Sequence, residues 1–371
     1  MHDVIVIGGG VIGLSIARAL ALKNVRNVCL VERGECGAEA SFAAAGMLAP
    51  QAEADRKDEF FDLLCRSRDL YPALASSLQE ETGIDIELDL TGTLYLSFSE
   101  EDHHELEQRF EWQSKANLPI ERLSAYEAQT LEPRISSSIS GALLFPRDVQ
   151  VENRRLLAAL TNSIHRFGIS VLTETNVEEI NVRNGKVTGI QTSKGGIGSS
   201  KVIVTAGAWS DLVGALKFPM EPVRGQMVCL SAKPQLTRHI VYNPRGYIVP
   251  RQDGRLLAGA TTEHVGFLKT VTAGGIKSIL VNAAEISPGI DSLPIVSSWA
   301  GLRPRAPDGL PVLGPCDEIE GLIYATGHYR NGILLAPLTG ELIADAVVEG
   351  MIPSELANFS PNRFKLASVT F

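Results

Sequence analysis

Cysteine is scarce in this chain, and what there is forms no pattern. Five residues among 371, Cys29, Cys36, Cys65, Cys229 and Cys316, include no Cys-x-x-Cys pair. An odd, dispersed set in a long chain is neither a disulfide framework nor a zinc site, and it is expected in a reducing compartment. The seven histidines are equally scattered, so a metal centre built on His and Cys is excluded as a reading. Positive charge is also in deficit: 34 Lys and Arg against 43 Asp and Glu leave a net charge of −9, the wrong sign for a protein that neutralises phosphates. Nucleic acid is therefore not expected as a partner. No apolar run is long and clean enough for a membrane span. Met1-His2-Asp3 lacks the basic start of a signal peptide, the stretch behind it is broken by Gly8, Gly9, Gly10, Gly13 and Arg18, and the stretch from Gly332 to Val348 contains Pro337, Glu341 and Asp345. No membrane partner is expected, and the expected location is cytoplasmic. A nucleophile elbow and a Walker loop are both missing, which argues against a serine hydrolase and a P-loop nucleotidase.

What is present is apolar material in ordinary globular proportion, 44% hydrophobic with 21% charged, in a chain long enough for two or three domains. The N-terminus reads strand, turn, helix, strand. Val4 to Ile7 is an unbroken β-branched run suited to a strand buried on both faces, Gly8-Gly9-Gly10 interrupts it, Ile12, Ile16, Ala19 and Leu20 recur at helical spacing, and Val28 to Val31 forms the next strand. Further on, Ser41 to Gly46 turns to small residues that permit close backbone packing. Phe60, Leu63, Leu64 and Ser67 share a helical face. Asp85 to Phe98 alternates apolar and polar residues across Thr91-Gly92-Thr93 and reads as a hairpin. Glu100 to Trp112 reads as a solvated charged helix and Asn153 to Phe167 as an amphipathic one. Val177 to Ile180 and Val187 to Gln191 pair around Asn184-Gly185, and Lys201 to Ala206 is another buried parallel strand. The region from about 217 to 299 reads as β-rich, after which Leu322 to Ala325 and Ile333 to Glu349 return to strand and helix. The α/β pattern thus resumes twice after long insertions, as in a domain assembled from separated segments.

Gly8-Gly9-Gly10-Val11-Ile12-Gly13 satisfies G-x-G-x-x-G between a buried strand and a helix, and Glu32 closes the second strand 19 residues after Gly13. Glycines permit a tight turn and close approach to a pyrophosphate, the helix N-terminus attracts its charge, and the carboxylate suits ribose hydroxyls. Arg33 stands next to it, but Glu32 would repel a 2′-phosphate, so NADP is disfavoured. The fingerprint alone does not choose between NAD and FAD. The resumed α/β pattern leans toward the larger ligand, as does the turn Thr326-Gly327-His328-Tyr329-Arg330-Asn331-Gly332, which aims a second helix N-terminus at the same crevice. Such an end stabilises the negative charge that gathers on a reduced flavin.

No His or carboxylate stands out as an acid or base. Arg303, before the stop at Pro304, and Arg330, in the glycine-flanked turn, can each grip a carboxylate bidentately or sit in an ordinary ion pair. Tyr247, at the start of a strand, can reach a cavity or simply pack.

Taken together, these motifs resemble the FAD-dependent D-amino acid oxidase superfamily, and within it the glycine-oxidising members. The resemblance spans essentially the whole chain and rests on Val4 to Gly13 with Glu32, Ala40-Ser41, Ala45-Gly46-Met47-Leu48, Thr205 to Ser210, Gly246 to Arg251 with Gly259-Ala260-Thr261, Gly301-Leu302-Arg303-Pro304 with Asp308 to Pro311, and Gly327 to Leu334. It implies an α/β fold: a Rossmann-like FAD-binding domain from residues 1–84, 146–216 and 300–371, and an α+β substrate domain with a large mixed or antiparallel sheet from 85–145 and 217–299. It implies that Arg303 binds the substrate carboxylate, with Tyr247 as a second contact and Arg330 beside flavin and substrate. Gly8, Gly10, Val11, Ile12, Gly13, Glu32, Arg33, Ala40, Ser41, Ala45, Gly46, Met47, Val177, Ala206, Gly207, Trp209, Gly301, His328, Arg330, Asn331, Gly332, Ile333 and Leu334 would hold FAD. Some relatives attach flavin to a Cys in the C-terminal third. Cys316, in Gly-Pro-Cys-Asp, stands in no such motif, so the expected FAD is non-covalent. The implied reaction is oxidative deamination of glycine and other small amines, with the α-hydrogen leaving as hydride to flavin N5 and oxygen ending as hydrogen peroxide, feeding thiazole synthesis for thiamine. A sarcosine or D-amino acid oxidase or dehydrogenase is the alternative. The partners are then a small amine and O2, in a homo-oligomer, by preference a tetramer.

Overall fold

The computed structural model describes residues 1–215, 219–350 and 353–364. A six-stranded sheet runs in the order Val312–Pro315, Leu322–Thr326, Val202–Val204, Val4–Ile7, Val28–Val31, Ser170–Leu172, parallel except for its first member. The β-branched runs become central strands because both faces are covered. Val4, Val6, Leu30 and Ile203 point into a layer of helices that includes Val11–Leu22, Asn153–Arg166 and Gly332–Glu349. Ile5, Ile7, Cys29 and Val31 point the other way, into a three-stranded antiparallel sheet of Val177–Arg183, Lys186–Thr192 and Gly195–Gly198. Each fully buried Val or Ile of this kind contributes about 1.5–3 kcal/mol.

An eight-stranded mixed sheet is the second body, ordered Ile295–Arg305, Glu221–Ser231, Arg255–Gly259, Gly246–Pro250, Ile240–Asn243, Thr93–Ser97, Gly141–Phe145, Glu121–Ser124. Period-two alternation again separates its faces. Val228, Val241, Ile248 and Ala258 pack under the helix Ala273–Ile286, whereas Met227, Tyr242, Tyr247 and Val249 face Ala45, Ala49 and Ala52 of the other body. The active surface of the sheet is thereby set by the parity of its strands. The expectation of one large mixed sheet beside a Rossmann-like layer holds. Residues 299 and 300 lie within the single strand Ile295–Arg305, which bridges the two bodies, and a division at residue 216 lies outside the described residues.

Two readings of the sequence are corrected. The hairpin over Asp85 to Phe98 is absent: Thr93–Ser97 is a strand, but its partners are Gly141–Phe145 and Ile240–Asn243, while residues 85–90 run without strand structure apart from a bridge at Asp89. Glu87 has φ +52, Asp89 Oδ1 accepts the Thr91 amide at 2.9 Å, and Ile86 is buried while Leu90 is exposed, so the alternation marks a turn-rich segment. The β-rich region also contains the helix Ala273–Ile286, whose two leading glycines weaken a propensity-based signal but whose Ile279, Ala283 and Ile286 form a buried stripe.

Candidate functional site

A cavity of about 580 Å³ runs between the two bodies, and all but two of the residues expected to bind dinucleotide and substrate line one continuous wall. At its first end the glycine turn is enforced by contact. A Cβ on Gly13 would lie 1.9 Å from the Gly8 carbonyl oxygen, and Gly8 itself has φ +109. Glu32 ties this turn to the second strand, with Oε2 accepting the Gly9 amide at 2.7 Å and Oε1 the Gly34 amide at 2.9 Å. Two of the roughly four acceptor positions of a carboxylate are thus occupied. The rest of the Glu32 carboxylate faces the cavity. Arg33 stacks on Trp209 at 3.6 Å and pairs with Glu39 at 2.8 Å, so its charge is already engaged, which fits the exclusion of a 2′-phosphate clamp. Val177 forms the wall at this end with Thr175 and Asn176.

The middle of the wall is a segment fixed by buried polar groups. Ser41 Oγ accepts the Val11 amide at 3.0 Å, and Asn153 holds the Ser41 carbonyl at 2.8 Å. Gly46, at φ +73, lies against Val151, where an added Cβ would be 2.1 Å from a carbonyl oxygen. Arg251 donates to the Ala45 carbonyl at 2.7 Å and to Gln150 at 2.6 Å, and its burial pushes the guanidinium down to about 10. Ala40, Met47, Ala206, Gly207 and Gly301 complete this stretch, the last so close that a Cβ would meet Ala43 Cβ at 2.5 Å.

At the far end the strand Ile295–Arg305 delivers Arg303 and the strand Gly246–Pro250 delivers Tyr247. Arg303 donates to the Thr261 carbonyl at 3.1 Å, and among the described residues no carboxylate lies within 4 Å of it. Gly225, on the neighbouring strand two positions beyond the residue paired with Arg303, makes room for the guanidinium: a Cβ there would be 2.3 Å from two of its nitrogens. The Tyr247 hydroxyl donates to Met227 Sδ, at 3.4 Å, a weak acceptor, and its oxygen faces Arg303. Burial raises its pKa against the opposing pull of Arg303 and Arg330, so the phenol stays protonated and a donor. The turn Gly327 to Asn331 brings Arg330 in, with Gly327 and Tyr329 both at positive φ. Glu53 lies 3.8 Å from Arg330 Nε, and its charge is the chief reason the guanidinium is held well above its ordinary value. His328 is on the wall but bonded to Thr339 Oγ1 at 3.1 Å, and burial pushes it down to about 3, leaving a neutral imidazole.

Two expected cofactor residues are off the wall. Gly13 packs against Gly8, and Leu334 is in the core, its carbonyl held by Ser67 Oγ at 2.7 Å. Conversely, sequence reasoning missed Glu53, Tyr242, Met227, Gly225 and Arg251. No local pattern marks them. Met227 and Gly225 share a strand face with each other and gain meaning only from the strand opposite, and Arg251, which follows the Tyr247 strand, was quoted only as part of a motif.

The residues present fit FAD on three counts. The helix Val11–Leu22 begins at Gly10 and the helix Gly332–Glu349 at Asn331, neither has a side-chain cap or an acidic residue in its first turn, and both open on the same cavity. Two positive helix ends, neither capped by a side chain of its own N-cap residue, suit a diphosphate and a reducible, anion-forming ring. The glycine cradle supplies close approach. Among the described residues no cysteine is on the wall, and Cys316 is buried in the core beneath the six-stranded sheet. Among the described residues there is no cluster of His, Cys, Asp or Glu that could hold a metal ion, and no helix is long and apolar enough to cross a membrane.

Comparison with known proteins agrees with this geometry. The family described as FAD dependent oxidoreductase matches residues 3–346. The chain is 39% identical to the glycine oxidase of Geobacillus kaustophilus, over 98% of this chain and 97% of that one. It is 36% identical to a bifunctional ThiO/ThiG protein of Synechocystis, of which it covers 54% while 98% of this chain is matched. Among solved structures, the Geobacillus kaustophilus glycine oxidase superposes with a TM-score of 0.93, covering 97% of this chain and 98% of that one.

Proposed function

Because the chain belongs to the FAD dependent oxidoreductase family, we propose that it oxidises glycine and other small amines to the imine, which hydrolyses to the 2-oxo acid and ammonia, with oxygen reduced to hydrogen peroxide. The observation that carries this is Arg303: a guanidinium without a carboxylate partner among the described residues, beside the Tyr247 hydroxyl, at one end of a cavity whose other end is built for a dinucleotide. Bound FAD supplies the two-electron acceptor.

The chain's own residues bind and orient. Arg303 takes the substrate carboxylate in a charge-assisted pair worth about 1.5–3 kcal/mol, and Tyr247, protonated and weakly engaged, adds a second donor. Gly225 keeps the guanidinium in place by leaving its volume free. Among the described residues no side chain on the wall is placed to act as a base: His328 is bonded to Thr339 and its burial opposes taking up a proton, and Glu53 is shared between Tyr242 and Arg330. The amine is therefore taken up unprotonated, and acceleration comes from holding the α-carbon in one orientation. The absence of cysteine from the wall supports non-covalent FAD. Five free thiols support a cytoplasmic location. The split into residues 1–84, 146–216 and 300–371 against 85–145 and 217–299 follows the two sheets except at 299/300, which falls inside the strand Ile295–Arg305 of the eight-stranded sheet, and a homo-oligomer and a role in thiazole supply for thiamine follow from the family resemblance.

The test is the visible spectrum of the purified protein under anaerobic conditions, with glycine, sarcosine and D-alanine added in parallel. Bleaching of flavin bands by glycine, with peroxide on readmission of oxygen, is the expected result. Bleaching only by another amine moves the substrate assignment to that amine, and a protein that cannot be made to bind FAD overturns the reading.

A further inference from the structure

The one-turn helix Pro50–Glu53 is held by an unusual density of buried polar groups. Asp148 Oδ2 accepts the Ala52 amide at 2.7 Å, Arg109 donates to the carbonyls of Ala52 at 2.9 Å and Ala54 at 2.6 Å, and Gln113 donates to the Gln51 carbonyl at 2.8 Å. All three side chains are almost wholly buried. Burying the Arg109 guanidinium and the Asp148 carboxyl costs desolvation, and their bonds to the helix backbone hold its four residues in place. What the helix presents to the cavity is Glu53. Its Oε1 accepts the Tyr242 hydroxyl at 2.7 Å, and its Oε2 stands 3.8 Å from Arg330.

The charges at the substrate end then sum simply. Arg303 and Arg330 bring two positive charges and Glu53 removes one, leaving a single net positive charge, and the guanidinium left without a carboxylate is Arg303. We propose that Glu53 is a specificity-determining residue: by neutralising Arg330 it makes the site accept substrates with one carboxylate and reject those with a second anionic group. This rests on the proposed amine oxidation and deepens it. A dicarboxylate with one arm on Arg303 would bring its other arm toward Arg330 and meet the negative charge of Glu53, held there by Tyr242 and Arg330, so the selectivity is repulsive in origin. Tyr242 holds the carboxylate in place, since its hydroxyl can donate to Glu53 and has no charge to cancel it.

The test uses flavin-loaded protein and compares wild type with Glu53→Gln. Dissociation constants for acetate and malonate are read from perturbation of the flavin spectrum, and kcat/KM is measured for glycine and iminodiacetate, which is glycine carrying a second carboxylate arm. In Glu53→Gln the malonate-to-acetate affinity ratio and the iminodiacetate-to-glycine kcat/KM ratio are each expected to rise about tenfold or more, while Glu53→Asp stays within about threefold of wild type. Arg330→Met should weaken acetate binding about tenfold, and adding Glu53→Gln to it should restore binding to within about threefold of wild type, because the net charge returns to one. A merely structural Glu53 gives no such rescue. Ratios unchanged in Glu53→Gln, or absence of rescue in the double variant, overturn the proposal; if Glu53→Gln alone does not retain FAD, the rescue decides. A wild type that shows the acetate preference and its predicted reversal but is reduced by no amine refutes the proposed function and leaves this inference standing.

Discussion

The two ends of the cavity are built by different means. The dinucleotide end is made of backbone: glycines that remove Cβ atoms, helix termini that supply partial charge, and one carboxylate, Glu32, fixed by two amides of its own chain. The substrate end is made of side-chain charge, with Arg303, Tyr247, Arg330 and Glu53 delivered by four separate segments. Backbone recognition requires a fixed local sequence, so it is contiguous. Side-chain recognition requires only that the fold bring the right groups together, so it is dispersed.

The largest predicted effect breaks the backbone end. In Gly13→Ala the new methyl would sit 1.9 Å from the Gly8 carbonyl oxygen, a backbone atom, so the helix must shift away from the turn. The protein is expected to purify without flavin colour and to show an FAD dissociation constant raised about a hundredfold or more, measured by titration of the apoprotein. Retention of flavin at wild-type affinity would show that the glycine contact does not carry the site.

This contrast explains what was legible. The βαβ unit, Glu32 and the small-residue stretch Ser41 to Gly46 were readable because each is a run of residues whose spacing alone dictates geometry. Arg303, Tyr247 and Arg330 were visible as residues that could pack or pair as easily as bind, and the family resemblance, rather than their spacing, gave them roles. Glu53 was not visible at all, because its meaning depends on Arg330, 277 positions away, and on a helix pinned from below by Asp148 and Arg109. The failed hairpin has the same origin. Residues 85–90 alternate as a strand does, but Thr93–Ser97 finds its parallel partner in Ile240–Asn243, and no local pattern announces a pairing that distant.

The smallest predicted effect sharpens the comparison at His328, which stands on the wall yet belongs chemically to neither end. Burial holds it down to about 3 against an ordinary 6.5. Between those values the unfolded chain binds a proton that the native imidazole does not, so stability falls as pH falls through that window and is unaffected by this group above it. His328→Gln, which can keep a bond to Thr339, should therefore flatten the decline in Tm below pH 6.5 by a few degrees. It should leave the pH dependence of kcat/KM for glycine unchanged above that value. A decline as steep as in wild type would show that His328 is not buried in its neutral form.

The central claim is that one guanidinium, without a carboxylate partner among the described residues, defines the substrate end while the cofactor end stands without it. The most direct measurement is the apparent dissociation constant of glycine in anaerobic titrations of Arg303→Ala, followed in the flavin bands. The account predicts that FAD remains bound and that the constant for glycine rises well over about tenfold, the loss of one charge-assisted pair. Glycine binding unchanged in a flavin-loaded Arg303→Ala protein would contradict it.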